Sequence, residues 1–155
     1  MLDIVIDVLH KKVGVKVIIQ RFVIKDYAEV YNLWNNTVGM GMRSLDDTQD
    51  GISRFLERNP STNFVVKIDE EIVGAILCGN DGRRGYIYHL AVKESVRKQG
   101  IGRSLVDEVV TALKQVGINK AALVVFCDNE IGNGFWERIG FQKRNDLIYR
   151  DMSIS

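Results

Sequence analysis

Proline occurs once in this 155-residue chain, at Pro60, and cysteine twice, at Cys78 and Cys127. A single proline excludes a polyproline or collagen-like build. Two cysteines far apart, with no C-x-x-C, supply neither a disulfide scaffold nor a zinc site and fit a reduced, cytosolic interior. Lys and Arg number 21 against 20 Asp and Glu, a net charge of +1, and the basic residues are spread along the chain, so nothing points to nucleic acid. No apolar run approaches the roughly 20 residues that cross a bilayer. Residues 1–9 come nearest, but Asp3 and Asp7 interrupt them and no basic segment precedes them as in a secretion signal.

What is present is enough for one domain, which at this length buries roughly 70% of its unfolded surface. Residues 15–155 are expected to form it, with residues 1–14 an extension or the product of a surplus upstream start codon. Residues 15–22 read as a strand. Asp26 is placed to cap a helix whose Tyr27, Val30, Tyr31 and Trp34 recur at three and four. A second helix, begun by Ser44 or Asp47 and stopped at Asn59-Pro60, turns Ile52, Phe55 and Leu56 inward. Residues 63–68 and 72–79 flank an acidic turn and read as a hairpin. A further turn, residues 81–85, leads into a strand over 85–92.

From Gly100, apolar positions Ile101, Leu105, Val109, Leu113 and Val116 make one helical stripe that ends at Gly117. The apolar run 121–127 reads as a strand covered on both faces. It is expected beside 85–92 and parallel to it, since a right-handed helical crossover joins the two. Residues 141–144 and 146–153 read as a closing hairpin. The fold class is α+β, a mixed and mostly antiparallel sheet with helices on both faces.

The most specific signal is Arg97-Lys98-Gln99-Gly100-Ile101-Gly102 at the junction of the 85–92 strand with the helix. A helix start carries unpartnered N–H groups and partial positive charge, and binds anions where the backbone can approach. Gly100 and Gly102 permit that approach, while Arg97, Lys98 and Arg103 add charge and Ser104 a hydroxyl. A pyrophosphate ligand is implied. No G-x-x-x-x-G-K-[ST] run exists, which excludes a Walker loop. Leu105 stands where a dinucleotide fingerprint needs its third glycine, and Lys120 and Ala121 lie near its expected acid.

What remains, R-x-x-G-x-G after Leu90-Ala91-Val92, resembles motif A of the GNAT family of N-acetyltransferases. A second stretch, Asn129 followed seven residues later by Trp136 and then Gly140-Phe141, is similar to that family's later motif. The resemblance covers about residues 16–153. It implies acetyl-CoA as cosubstrate, no metal, and a ternary complex in which a primary amine attacks the thioester directly. It implies that the 85–92 and 121–127 strands splay to admit the pantetheine arm. Leu90, Ala91 and Val92 would offer it backbone groups, residues 97–104 (Gln99 and Ile101 included) would hold the pyrophosphate, and Asn129 and Trp136 would contact CoA. Dimers are common in the family, so a homodimer is a possible partner arrangement.

Acetyl transfer needs a neutral amine, a stabilised carbonyl oxygen and a leaving thiolate. A backbone N–H near Leu90 or Ala91 is the oxyanion donor by resemblance. Strand alternation puts Tyr86, Tyr88 and Leu90 on one face and Ile87 and His89 on the other. Tyr86 and Tyr88 fall where a member of the family has two histidines near its acceptor amine. They are either a proton relay through water or strand packing, and His89 reads as a core or edge histidine. Many members carry tyrosine at the Trp136 position, and an indole N–H is no practical acid. Tyr149, or one of the Tyr86/Tyr88 pair, is then the alternative proton donor to sulfur. The acceptor pocket falls by resemblance on residues 34–46 and 145–150, with Trp34, Met40 and Met42 an apolar wall and Arg43, Asp46 and Asp47 supplying charges of both signs. The expected acceptor is a small molecule. A protein N-terminus of the ribosomal-protein-alanine type, or a noncatalytic acyl-CoA sensor, are the other readings.

Overall fold

Strands neighbour one another in the order in which the chain makes them. The computed structural model describes residues 4–5 (backbone only), 15–43 and 45–154, and falls into two compact units, Met1–Val124 and Val125–Ser155. The first unit carries a six-stranded sheet in the order β1 (Ile4–Val5), β2 (Val17–Arg21), β3 (Phe64–Ile68), β4 (Glu71–Asn80), β5 (Gly85–Val92) and β6 (Ala121–Ala122). Every pair is antiparallel except β5 and β6. That parallel pair follows from the crossover through helix α3 (Ile101–Gln115). The α+β class and the mixed, mostly antiparallel sheet are as the sequence implies.

The β3–β4 hairpin turns at Asp69 and Glu70, both with positive φ (47° and 70°). Two such residues in a two-residue loop match the right-handed twist of the strands they join. Along β4 the side chains alternate, and glycine contacts identify the faces. A Cβ on Gly79 would lie 3.1 Å from the ring of Phe55, and one on Gly74 would lie 3.2 Å from Leu105. Phe55 belongs to α2 (Gln49–Arg58) and Leu105 to α3, so helices cover both faces. Val30, Leu33 and Trp34 of α1 (Tyr27–Asn35) join Ile52, Val65, Ala75, Leu77 and Ala91 in the core on the α2 side.

The helix starts differ in detail from expectation. Thr48, not Asp47, caps α2, its hydroxyl accepting the Gly51 N–H at 3.1 Å. Ser44 lies outside the described residues. Asp26 closes a short 3-10 turn, accepting the Val23 N–H at 3.2 Å, and is buried 3.5 Å from Lys67 Nζ.

The run 121–127 is not the continuous buried strand its composition implies. Only Ala121 and Ala122 pair, with Gly85 and Tyr86, and Val124 and Phe126 are exposed. The chain leaves the ladder and bends, Asn129 N–H donating to Phe126 C=O at 3.0 Å.

The second unit is built on α4 (Glu130–Arg138). Its start is capped by Asn129, whose Oδ1 accepts the Gly132 N–H at 2.9 Å. Its end is a left-handed turn at Gly140 (φ 101°). There Gly140 N–H donates to Glu137 C=O at 3.1 Å and Phe141 N–H to Trp136 C=O at 2.9 Å. This is the Schellman pattern, and its usual apolar contact is supplied by the Trp136 and Phe141 rings, 5.0 Å apart. The closing hairpin expected over 141–153 is not formed. Residues 145–146 bend and Arg144 grips Asp146 through two bonds of 2.8 and 2.7 Å. No ladder joins the arms, and Leu147, Ile148 and Tyr149 are exposed.

Candidate active site

Strand β5 is interrupted where it matters. Its register with β4 runs Ala91↔Ala75 and then Tyr88↔Leu77, so His89 and Leu90 together face Ile76 alone. That is a β-bulge, and His89 adopts the left-handed conformation (φ 48°) that such bulges use. A bulge removes one residue from the ladder and re-aims its side chain. On its other side β5 meets β6 only at Gly85 and Tyr86. From Ile87 to Val92 no strand among the described residues pairs with that edge, so an extended ligand carrying amide groups can pair there as a strand would.

The end of this open edge leads directly to the start of α3. Glu94–Val96 form a 3-10 turn, and Arg97 then folds back so that its Nε donates to Val92 C=O at 2.9 Å. Lys98 (φ 62°) and Gly100 (φ 83°) carry the chain through two left-handed positions. Gly100 is the N-cap and has no side chain to cap the helix, and no acid stands in the first turn. Ser104 N–H bonds to Gly100 C=O at 3.0 Å, closing the first helical turn. The N–H groups before it point out at a helix start flanked by Lys98 and Arg103, which is the electrostatic arrangement for a phosphate. Ile101 and Leu105 are buried against Gly74, which fixes the cradle to the sheet.

Known proteins share the fold that carries this site. The sequence pattern of the acetyltransferase (GNAT) family matches residues 27–141, spanning α1 to α4. The chain belongs to the GNAT acetyltransferases. It is 29% identical over 123 residues to Acetyltransferase SG1711 of Sodalis glossinidius, covering 79% of this chain and 85% of that one. Among solved structures it resembles Ard1 from Thermoplasma volcanium, with TM-score 0.71, 23% identity and coverage of 80% and 81% of the two chains. It also resembles AAC(6')-Iy in complex with a bisubstrate analogue, with TM-score 0.70, 16% identity and coverage of 88% and 99%. The chain is thus an acetyl-CoA-dependent N-acetyltransferase.

In this acetyltransferase the face of β5 opposite α3 carries an aromatic row. The Tyr86 and Tyr88 rings lie tilted against each other with centroids 4.8 Å apart, and Tyr88 meets the Phe55 ring edge-on at 5.9 Å. His89 does not lie on the opposite face, as strict alternation required. The bulge turns it to the same side, its ring 5.0 Å from that of Trp34 and its Nε2 2.7 Å from Asp47 Oδ1. Asp47 is buried, and its other oxygen accepts the Arg43 N–H at 2.6 Å. Tyr27 donates its hydroxyl to Asp47 C=O at 2.7 Å, and burial, with Tyr31 and Asp47 nearby, pushes the phenol above its ordinary range. Trp34 is fully buried, so it belongs to the core rather than to a pocket wall. Its indole Nε1 has no hydrogen-bond partner among the described residues. Met40 and Met42 pack against that core from the loop between α1 and α2.

Of the residues singled out from sequence, Tyr86, Tyr88, Leu90 to Val92 and Arg97 to Ser104 come together along β5 and the α3 start. Asn129, Trp136 and Tyr149 belong to the second unit, where Asn129 and Trp136 have the capping roles described above. Sequence reasoning read His89 as a core or edge histidine and Asp47 as a helix start and a charge of the acceptor pocket, and did not bring the two together. Asp47 lies just before an apolar helical pattern and reads as a cap, and no glycine marks the bulge. Among the described residues no group of His, Cys, Asp and Glu is arranged to hold a metal, and no helix is long and apolar enough to cross a membrane.

Proposed function

We propose that the chain moves the acetyl group of acetyl-CoA to the primary amine of a small molecule, by direct attack in a ternary complex. The observation that carries this is the continuity of an unpaired β5 edge with a glycine-capped, acid-free helix start. One suits the amide-bearing pantetheine arm and the other its pyrophosphate. Leu90, Ala91 and Val92 offer backbone groups to the arm. Arg97, Lys98, Gln99, Gly100, Ile101, Gly102, Arg103 and Ser104 surround the phosphates, and the Nε of Arg97 also holds the loop to the strand end. Resemblance to the family's later motif is the ground on which Asn129 and Trp136 are proposed as further CoA-binding residues.

The bulge frees backbone groups at His89 and Leu90, beside which the thioester carbonyl is polarised. Tyr86 and Tyr88 border the acceptor amine and relay its proton through water. With an indole at position 136, Tyr149 or a β5 tyrosine donates to the departing sulfur. A thiol near pKa 8.5 leaves readily enough for that donor to be of modest importance. A small acceptor is supported by the loop between α1 and α2, which Met40, Met42 and the Asp47 contacts tie down onto the core. It is also supported by the likeness to AAC(6')-Iy, whose bisubstrate analogue carries an acetylneamine.

The first experiment is the melting-temperature shift on adding acetyl-CoA, with NADH and ATP as controls. A ligand at 100 times its Kd stabilises by about 2.7 kcal/mol. CoA release is then followed with spermidine, neamine, lysine methyl ester and an alanine-initiated hexapeptide. Turnover of the peptide alone would replace the small-molecule acceptor with a protein N-terminus. Binding without any CoA release would mark a sensor.

A further inference from the structure

Resting on the acetyl-transfer reading, we propose that His89, held by Asp47, is the proton acceptor for the attacking amine. The bulge is what makes this possible. Without it His89 would face α3, on the far side of the sheet from Tyr86 and Tyr88. With it, the imidazole stands next to Tyr88 on the acceptor side, immediately before Leu90-Ala91-Val92.

The hydrogen bonds set its chemistry. Asp47 is buried, with its side chain 6% exposed, and the His89 side chain is 14% exposed. One carboxylate oxygen takes the Arg43 backbone N–H at 2.6 Å and the other lies 2.7 Å from Nε2. An ionised carboxylate only accepts, so Nε2 carries the hydrogen and Nδ1 carries the lone pair. Asp47 faces the ring from the loop before α2, and Trp34 of α1 covers it without charge. Tyr27 is engaged with the Asp47 carbonyl, with the Tyr31 ring tilted beside it, and Arg43 turns its guanidinium to Asp46 at 2.9 Å. Among the described residues, Asp47 is the carboxylate hydrogen-bonded to the ring, and it is placed to stabilise an imidazolium there.

The step balances as follows. An ammonium proton of the acceptor passes to Nδ1, directly or through the tyrosine-side water. The freed nitrogen lone pair bonds to the thioester carbonyl carbon. The C–S bond then breaks with its electrons on sulfur, which takes a proton from the tyrosine donor, and that donor recovers the second proton that the acylated nitrogen sheds. His89 returns its own proton to solvent. In this scheme His89 is a catalytic residue and Asp47 a positioning residue.

The test has two arms. The chain has two histidines, His10 and His89, so long-range ¹H–¹⁵N spectra, assigned with His10→Gln, read the His89 tautomer on the full-length protein without any acceptor. The Nε2–H form at neutral pH is expected, and the Nδ1–H form would overturn the proposal whatever the acceptor is. In the second arm kcat/KM is followed against pH with whichever amine of the panel wild type acetylates. His89→Gln keeps a donor to Asp47 and is expected to lower kcat/KM about 100-fold or more and to abolish the acid limb. Asp47→Asn should move that limb to lower pH by withdrawing support from the imidazolium. A fall in rate with an unmoved limb in both variants would reduce the pair to a structural tie and overturn the proposal. Acetyl-CoA binding with no turnover by wild type would instead defeat the acetyl-transfer reading, leaving the tautomer to decide the dyad.

Discussion

Leu113 of α3 lies over Gly85 at the start of β5, so closely that a Cβ built on the glycine would stand 2.6 Å from Leu113 Cδ1. Gly85 is also where the parallel pair begins, its N–H donating to Lys120 C=O at 2.9 Å. Gly85→Ala must push Leu113 out of a packed position or lift α3 from the sheet. Overpacking of this kind costs about 1–3 kcal/mol. Urea unfolding of the variant should register that loss with an unchanged m-value.

The two cradle glycines should respond differently. Gly100 is left-handed, so Gly100→Ala costs about 1–2 kcal/mol of stability on backbone grounds alone. Gly102 lies inside the first turn of α3, where an acid favours the helix by about 0.3–1 kcal/mol. Gly102→Glu should therefore melt no lower than wild type in the absence of ligand, yet lose the acetyl-CoA-induced shift. A full shift in that variant would move the phosphate site elsewhere.

Arg97 ties the cradle to the strand end through Val92 C=O. Arg97→Ala is expected to weaken acetyl-CoA by roughly 1.5–3 kcal/mol, the range for a charged hydrogen bond, or about 10- to 150-fold in Kd by titration calorimetry. Arg97→Lys keeps the charge without the planar donor. Recovery by lysine would assign the loss to charge rather than to the tie.

The two thiols should separate cleanly. Burial pushes Cys78 up to about 12 from 9.0, outweighing a lowering hydrogen bond from the Tyr86 backbone, whereas Cys127 is exposed. Iodoacetamide at pH 8 should modify one thiol in the native protein and two in denaturant, counted by mass. The folded chain retains a proton that the unfolded chain loses above about pH 9. Stability should accordingly decline as pH rises from 9 towards 12.

Trp136→Phe should retain most acetyl transfer, since the ring contact with Phe141 that completes the α4 terminus survives in a phenylalanine. Complete loss of turnover with acetyl-CoA binding intact would give the indole a chemical role.

The readable parts of this chain are those whose cause is local. The β3–β4 hairpin, the α3 stripe ending at Gly117 and the cradle were legible because turn residues, periodicity and glycine positions specify them within a few residues. The β5 bulge was not, because it is set by register against Ile76 of another strand and His89 occupies its left-handed position without a glycine to signal it. The bond between Asp47 and His89 was not legible either, since Thr48 takes the expected capping role and releases the carboxylate to turn inward. The apolar run 121–127 and the tail 141–153 have strand-like composition, but composition does not supply a partner. There the chain pairs for two residues or none.

The order of the sheet also bears on how the chain is made. Neighbouring strands are consecutive, so β2 to β5 can assemble as they leave the ribosome, with α1 and α2 already available to cover one face. The other face, with Phe64, Val66, Ile76 and Cys78, waits for α3. Until residue 115 has been translated, a nascent chain presents that apolar strip bare, and ribosome stalling near the cradle would leave it a target for chaperones.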